Sequence, residues 1–185
     1  MTDFPIHTRA TAPFASKPFL EQAQSNLGYV PALVAQMAES PQLLEGYVSL
    51  STIFGKSTFT PAEQQLVLLT ISVENDSHYC TPAHTRRARH AALPEADINS
   101  IRDRRPMPDA RAEALRQFCI RMVRERGFLA DADVSAFLAA GFTRAQALDV
   151  VLAVGLKTMS NYLNHLAETP LDPPLTADAI DRRVA

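Results

Sequence analysis

Tryptophan is absent from this chain, and cysteine occurs only twice, as Cys80 and Cys119. Two thiols in 185 residues fall far short of the density of a disulfide-stapled secreted domain, so either can stand as a free thiol. An excess of one charge is missing as well. The formal net charge is −2 and the isoelectric point about 6.2, so no overall positive field exists to attract nucleic acid or an anionic membrane surface. No apolar run approaches the roughly eighteen residues of a membrane span, and the N-terminal MTDFPIHTRATAPF has neither the basic start nor the apolar centre of a secretory signal. A cytoplasmic protein without membrane or nucleic-acid partners is expected. Strand-type alternation with turn dipeptides and repeats of fixed period are also lacking.

What is present is apolar content of 46%, enough for one domain with a hydrophobic core. Its periodicity is helical, which predicts an all-α fold. Residues 1–16 carry Pro5, Pro13 and several Ser and Thr without periodicity and are expected as an extended arm. Helical patterns follow at about 18–27, 31–39 and 41–55, divided by Gly28 and by Ser40-Pro41, where proline suits a first helical turn. The best-marked helix is TPAEQQLVLLTISVEN: Thr60 caps, Pro61 opens, and Glu63 completes a capping box. Positions 66–73 are apolar nearly all round, so this helix should be central and buried. Asn75-Asp76-Ser77 breaks it. Further helices are expected to about Ala92, through Ile101, over 110–126 after a cap at Asp109, over 131–139, and from Thr143 to the prolines at 170, 173 and 174. The helical domain thus spans 17–172, with a peripheral tail at 173–185.

Chemistry concentrates in SHYCTPAH, residues 77–84. On a helix Cys80 and His84 stand at i and i+4, on one face, where an imidazole can take a thiol proton. The break just before Cys80 puts it in or beside the first turn, whose dipole also favours the thiolate, and Pro82 fits only an early helical position. A buried cysteine acting as a small apolar residue is the competing interpretation.

These residues, together with TPAEQQLVLLTISVENDSHYCTPAHTRRARHAALPEADI, EALRQFCIRMVRERG and AGFTRAQALDVVLAVGLKTMSNYLNHLAE, resemble the alkylhydroperoxidase AhpD and carboxymuconolactone decarboxylase-like family over most of residues 20–172. The resemblance implies an oligomeric helical protein with no cofactor, in which Cys80 attacks a hydroperoxide and His84 relays protons. It also exposes two departures. Ser77 stands where the family's resolving cysteine belongs, and Gln65 where its relay glutamate belongs. Serine forms no disulfide, and an amide accepts no proton as a carboxylate does. Glu63 or Glu74 could substitute for the relay group but lacks the spacing. Three readings follow, in order: a one-cysteine peroxidase completed by an external thiol reductant, a non-redox lyase acting on a carboxylated substrate, and a ligand-binding member without turnover.

Other candidates carry less. Cys119 lies in the apolar stripe Leu115, Phe118, Cys119, Met122 and should be structural. His78 with Cys80 and His84 suggests metal, but i and i+2 on a helix diverge and no fourth ligand stands nearby, so no metal is expected. Arg86, Arg87, Arg89 and His90, with Arg102, Arg104 and Arg105, read first as a solvated face and second as a basic rim for an acidic substrate. Asn161 and His165 share a face of the last helix and are expected as satisfied polar groups in a largely buried helix; Tyr79 either lines the way to the thiol or packs. The apolar faces of several helices exceed what one monomer covers, and a homo-oligomer is expected.

Overall fold

A computed structural model describes residues 4–180; the ends of the expected arm and tail, 1–3 and 181–185, lie outside the described residues. No strand occurs among the described residues. The α-helices are α1 (Lys17–Leu27), α2 (Ala32–Met37), α3 (Pro41–Phe54), α4 (Pro61–Glu74), α5 (Cys80–His90), α6 (Glu95–Arg102), α7 (Ala110–Arg124), α8 (Asp131–Ala139) and α9 (Arg144–Ala167). No single helix among them is long and apolar enough to cross a membrane.

Local chemistry sets the ends of these elements. The Thr60 hydroxyl accepts the Glu63 N–H, the Glu63 carboxylate accepts the Thr60 N–H at 2.8 Å, and Pro61 occupies the first helical position. Thr143 and Gln146 repeat the device at the start of α9. Every residue of α4 from 66 to 73 is buried. A helix apolar on all sides must be surrounded, and α4 is packed by α5, α6, α7 and α9. Around it lies the larger core, closed at one end by the stacked rings of Phe118, Phe137 and Phe142, whose successive centroids are 4.2 and 4.7 Å apart.

A second, smaller core gathers Leu20, Leu33, Met37 and Leu44 of α1–α3 against Tyr79, Cys80 and Leu163. The described segments before α1 and after α9 are both fastened beside it. The Ser16 hydroxyl donates to Ala38 O at 2.8 Å and the His7 N–H to Ala35 O at 3.2 Å. The segment after α9 runs back over α2, and the tail expected at the periphery from residue 173 continues over α5. Thr169 Oγ1 donates to Gln36 Oε1 at 2.6 Å, Asp172 accepts the Ala32 N–H at 3.1 Å, and a 3-10 helix at Pro173–Asp178 buries Leu175. Those partners lie more than 100 residues earlier in the chain, beyond the reach of any local pattern.

Candidate active site

The helix break just ahead of Cys80 is built by backbone geometry. Asp76 adopts φ 51°, reversing the chain so that the Ser77 N–H reaches Ser72 O at 3.0 Å. The Ser77 hydroxyl then accepts the N–H of Cys80, the first residue of α5, at 3.3 Å. One otherwise unsatisfied first-turn donor is thereby satisfied, and the sulfur sits at the positive end of the helix.

Cys80 is 2% exposed, yet its surroundings are polar. Asn164 Nδ2 lies 3.1 Å from Sγ and 3.3 Å from Ser77 Oγ. Lys157, Ser160 and Ser77 also hydrogen-bond to the sulfur. Burial by itself pushes the Cys80 thiol up, but the Lys157 ammonium and the hydrogen bonds from Ser160, Ser77 and Lys157 outweigh it and hold the thiol below its ordinary value. The sulfur therefore has a charge partner and donors on several sides.

Lys157 Nζ also lies 3.0 Å from His84 Nε2, and His84 Nδ1 lies 3.0 Å from Gln65 Oε1. An amide oxygen only accepts, so donor–acceptor complementarity assigns the imidazole proton to Nδ1 and leaves Nε2 to accept from Lys157. Burial, then the cations Lys157 and Arg87, push His84 well below the ordinary histidine range, so the ring is neutral. Both ring nitrogens are engaged. The direct imidazole–thiol contact expected from the i, i+4 spacing is replaced by a chain from Gln65 through His84 and Lys157 to Cys80. Burial lowers Lys157 below the ordinary lysine value, with the Cys80 sulfur acting in the opposite sense.

Lys157, Ser160 and Asn164 were not found by reading the sequence. The signal was a single lysine inside LDVVLAVGLKTMSNYLN, with Ser160 and Asn164 at i+3 and i+7 on its face. All three are buried, and Lys157 is 1% exposed. Asn161 and His165, read as one face, part company: Asn161 is buried and accepts from Asn75 at 2.9 Å, whereas His165 is exposed beside the Tyr162 ring.

The remaining candidates take definite places. His78 points at Thr169 O, 2.9 Å away, and among the described residues no three His, Cys, Asp or Glu side chains come together as a metal site. Glu63 is held by Thr60 and Arg111, and Glu74 by Arg124 at 2.7 Å, so neither faces His84. Cys119 is buried in the larger core, where burial pushes its thiol up. The basic cluster divides. Arg89 is ion-paired with Glu95 and Asp178, and Arg105 with Asp103, whereas Arg86, Arg87 and His90 line a cavity of about 680 Å³. Cys80, His84 and Tyr79 contribute to the walls of the same cavity, with α1, α2 and α3 opposite. Tyr79 both packs and lines: its ring faces the cavity and its hydroxyl donates to Asp172.

Residues 41–118, which carry this helix pair and the motif, match the model of the carboxymuconolactone decarboxylase family. Over that stretch the chain is similar to the family. Solved structures of the same fold include an AhpD-core, peroxidase-related protein from Ralstonia eutropha JMP134, at 18% identity and TM-score 0.83 over 93% of each chain. A peroxidase-related protein from Silicibacter sp. TM1040 superposes at 20% identity and TM-score 0.79 over 94% of this chain and 92% of the other. The debrominase Bmp8, in complex with 2,3,4-tribromopyrrole, does so at 14% identity and TM-score 0.78 over 96% and 95%. No curated protein sequence matches significantly. At such identities the likeness is one of fold, and that fold is AhpD-like and all-α.

Proposed function

We propose that the protein is a peroxidase-related oxidoreductase that reduces an organic hydroperoxide at Cys80 and is completed by an external thiol. The observation that carries this reading is the buried Lys157 ammonium, which reaches both the Cys80 sulfur and the His84 ring. A thiolate is the attacking species, and a cation beside it keeps it ionised where burial alone would protonate it.

The chemistry balances with the groups present. The Cys80 thiolate attacks the terminal oxygen of the hydroperoxide, forming an S–O bond as the O–O bond breaks. The leaving alkoxide takes a proton from Lys157, whose lowered affinity for that proton suits an acid. Neutral His84 orients Lys157, and Gln65 fixes the tautomer of His84. An external thiol then attacks the sulfenic acid, releasing water and leaving a mixed disulfide. A second thiol cleaves that disulfide and restores Cys80. Ser77 takes the place of an internal resolving sulfur and hydrogen-bonds to the attacking one instead.

Peroxide consumption with added dithiothreitol tests this in the native chain against Cys80→Ser, and equal rates would exclude it. A second reading, a lyase in which sulfur is dispensable, is favoured by the decarboxylase family whose model residues 41–118 match; it requires turnover of a carboxylated lactone that survives Cys80→Ser. The tribromopyrrole bound by Bmp8 makes halogenated rings a useful additional probe of the same sulfur. Exposed Leu148, Val151, Tyr162 and Leu166 along α9 support a homo-oligomer, which sedimentation measures directly.

A further inference from the structure

The cavity has a one-sided charge. Among the described residues no Asp or Glu lines it, while Arg86, Arg87 and His90 do, and the buried Lys157 lies just beyond its floor. Asp172, which acts electrostatically on Tyr29, is itself buried and committed to the Tyr79 hydroxyl and the Ala32 N–H. Arg89 on the same helix shows what neutralisation looks like, with Glu95 at 2.9 Å and Asp178 at 2.6 Å. Among the described residues neither Arg86 nor Arg87 pairs with a carboxylate. Arg86 is held by a carbonyl, Pro174 O at 3.3 Å, whereas Arg87 hydrogen-bonds to the neutral Tyr47 hydroxyl.

Helical geometry gives the position of Arg87 its meaning. Cys80, His84 and Arg87 stand at i, i+4 and i+7, on one face of α5. Arg87 is therefore about 10 Å along the helix from the sulfur. Between them the opposite walls are mostly apolar, from Phe19, Leu27, Val34 and Val48. A volume near 680 Å³ is the size of a small-molecule site.

We infer that the cavity selects a small amphipathic carboxylate, its apolar body held between the α1 and α3 walls and its carboxylate paired with Arg87, which makes Arg87 a specificity-determining residue. Only the identity of the reacting group, a hydroperoxide at the far end from the carboxylate, rests on the function proposed above. Arginine suits this role because its planar fork pairs with a carboxylate through two hydrogen bonds, and removing water from such a pair strengthens it.

The decisive comparison is between cumene hydroperoxide and its para-carboxylated form, which differ at a position remote from the reacting oxygen. With dithiothreitol as reductant, native protein should favour the carboxylated compound in kcat/KM by about tenfold or more, the range of a charge-assisted hydrogen bond. Arg87→Gln should lose that preference through KM, the ratio of kcat/KM for the two compounds falling to about one whatever the variant does to the rate on cumene hydroperoxide itself; an unchanged melting curve checks that this exposed position has not disturbed the fold. Equal rates on the two compounds in native protein, or a preference that survives Arg87→Gln, overturn the inference. Binding is read separately from turnover in the Cys80→Ser protein titrated with para-isopropylbenzoate. The chain has no tryptophan, and Tyr29, Tyr47 and Tyr79 of its four tyrosines line the cavity, so tyrosine emission reports occupancy. Arg87-dependent binding without peroxide turnover supports the inference and rejects the peroxidase reading. Turnover without carboxylate preference does the reverse.

Discussion

The two cysteines are both buried, Cys80 at 2% exposure and Cys119 at 0%, yet their surroundings drive them apart. Around Cys119 stand Leu115, Phe118 and the rest of the larger apolar core, and burial alone acts on the thiol, raising it. Around Cys80 the same burial is overcome by Lys157 and by hydrogen bonds from Ser160, Ser77 and Lys157. Burial thus does not make a sulfur inert; burial without a partner does. The contrast also extends to access, because Cys80 lines the cavity and Cys119 does not.

The strongest way to break this comparison is to measure both thiols at once. At neutral pH a small alkylating reagent should modify Cys80 at least about a hundredfold faster than Cys119, each unit of pKa difference contributing about tenfold. Peptide mass spectrometry of the native protein reads both sites, and similar rates would remove the distinction. Next in size is Lys157→Met, which takes the cation away while keeping an unbranched apolar stem. Only the thiolate reacts, so the rate at Cys80 rises with pH through the folded-state pKa and then levels. With Lys157 that pKa is depressed and the plateau begins early; without it, uncompensated burial raises the pKa and moves the rise to higher pH. At pH 7 the variant should react at least about tenfold more slowly, and a profile that does not move would show that Lys157 does not hold the charge.

How far sequence patterns reach is visible in the same residues. The capping box at Thr60 and Glu63, the break at Asn75-Asp76-Ser77 and the start of the motif helix were legible because they depend on neighbours within a few positions. Cys80, His84, Ser77 and Gln65 were legible through the motif and the family resemblance. Lys157 lies 73 residues from His84, and Asn164 lies 84 from Cys80. No spacing rule connects them before the helices are packed. What the sequence did contain was a contradiction, a charged residue in the apolar stretch LDVVLAVGLK, and a buried charge requires a partner. The same limit applied to the tail from residue 173, expected at the periphery, whose 3-10 helix at Pro173–Asp178 packs on α5 and buries Leu175.

Two substitutions sharpen the Cys80 side of the comparison by restoring what the family pattern has there. Ser77 Oγ and Cys80 Sγ both lie within 3.3 Å of one amide nitrogen, Asn164 Nδ2, so Ser77→Cys brings a second sulfur into reach. After one equivalent of peroxide that variant should form an internal disulfide, seen as loss of about half or more of its free thiol at Cys80; retention of the sulfenic acid would show that the two positions cannot close. Gln65→Glu places a carboxylate against His84 Nδ1. Opposite charge favours the protonated ring, so the histidine pKa should rise by about 1–3 units despite Lys157. Nuclear magnetic resonance titration of the His84 ring protons measures this directly. A ring that stays neutral throughout would mean that burial and Lys157 outweigh the new charge.

The smallest effect belongs to Cys119 and concerns stability alone. Cys119→Ala removes one buried atom from a close-packed core and leaves a void beside Leu115 and Phe118, which should cost about 1 kcal/mol. The peroxide rate with dithiothreitol should not change, since Cys119 does not line the cavity and takes no part in the hydrogen bonds of Gln65, His84 and Lys157. Denaturant unfolding and initial rates, measured on one preparation, separate the two quantities. A stability loss with unaltered turnover is what a purely structural sulfur gives. Slowed turnover at full stability would instead make Cys119 the second thiol that the motif lacks, and the contrast between the two sulfurs would dissolve.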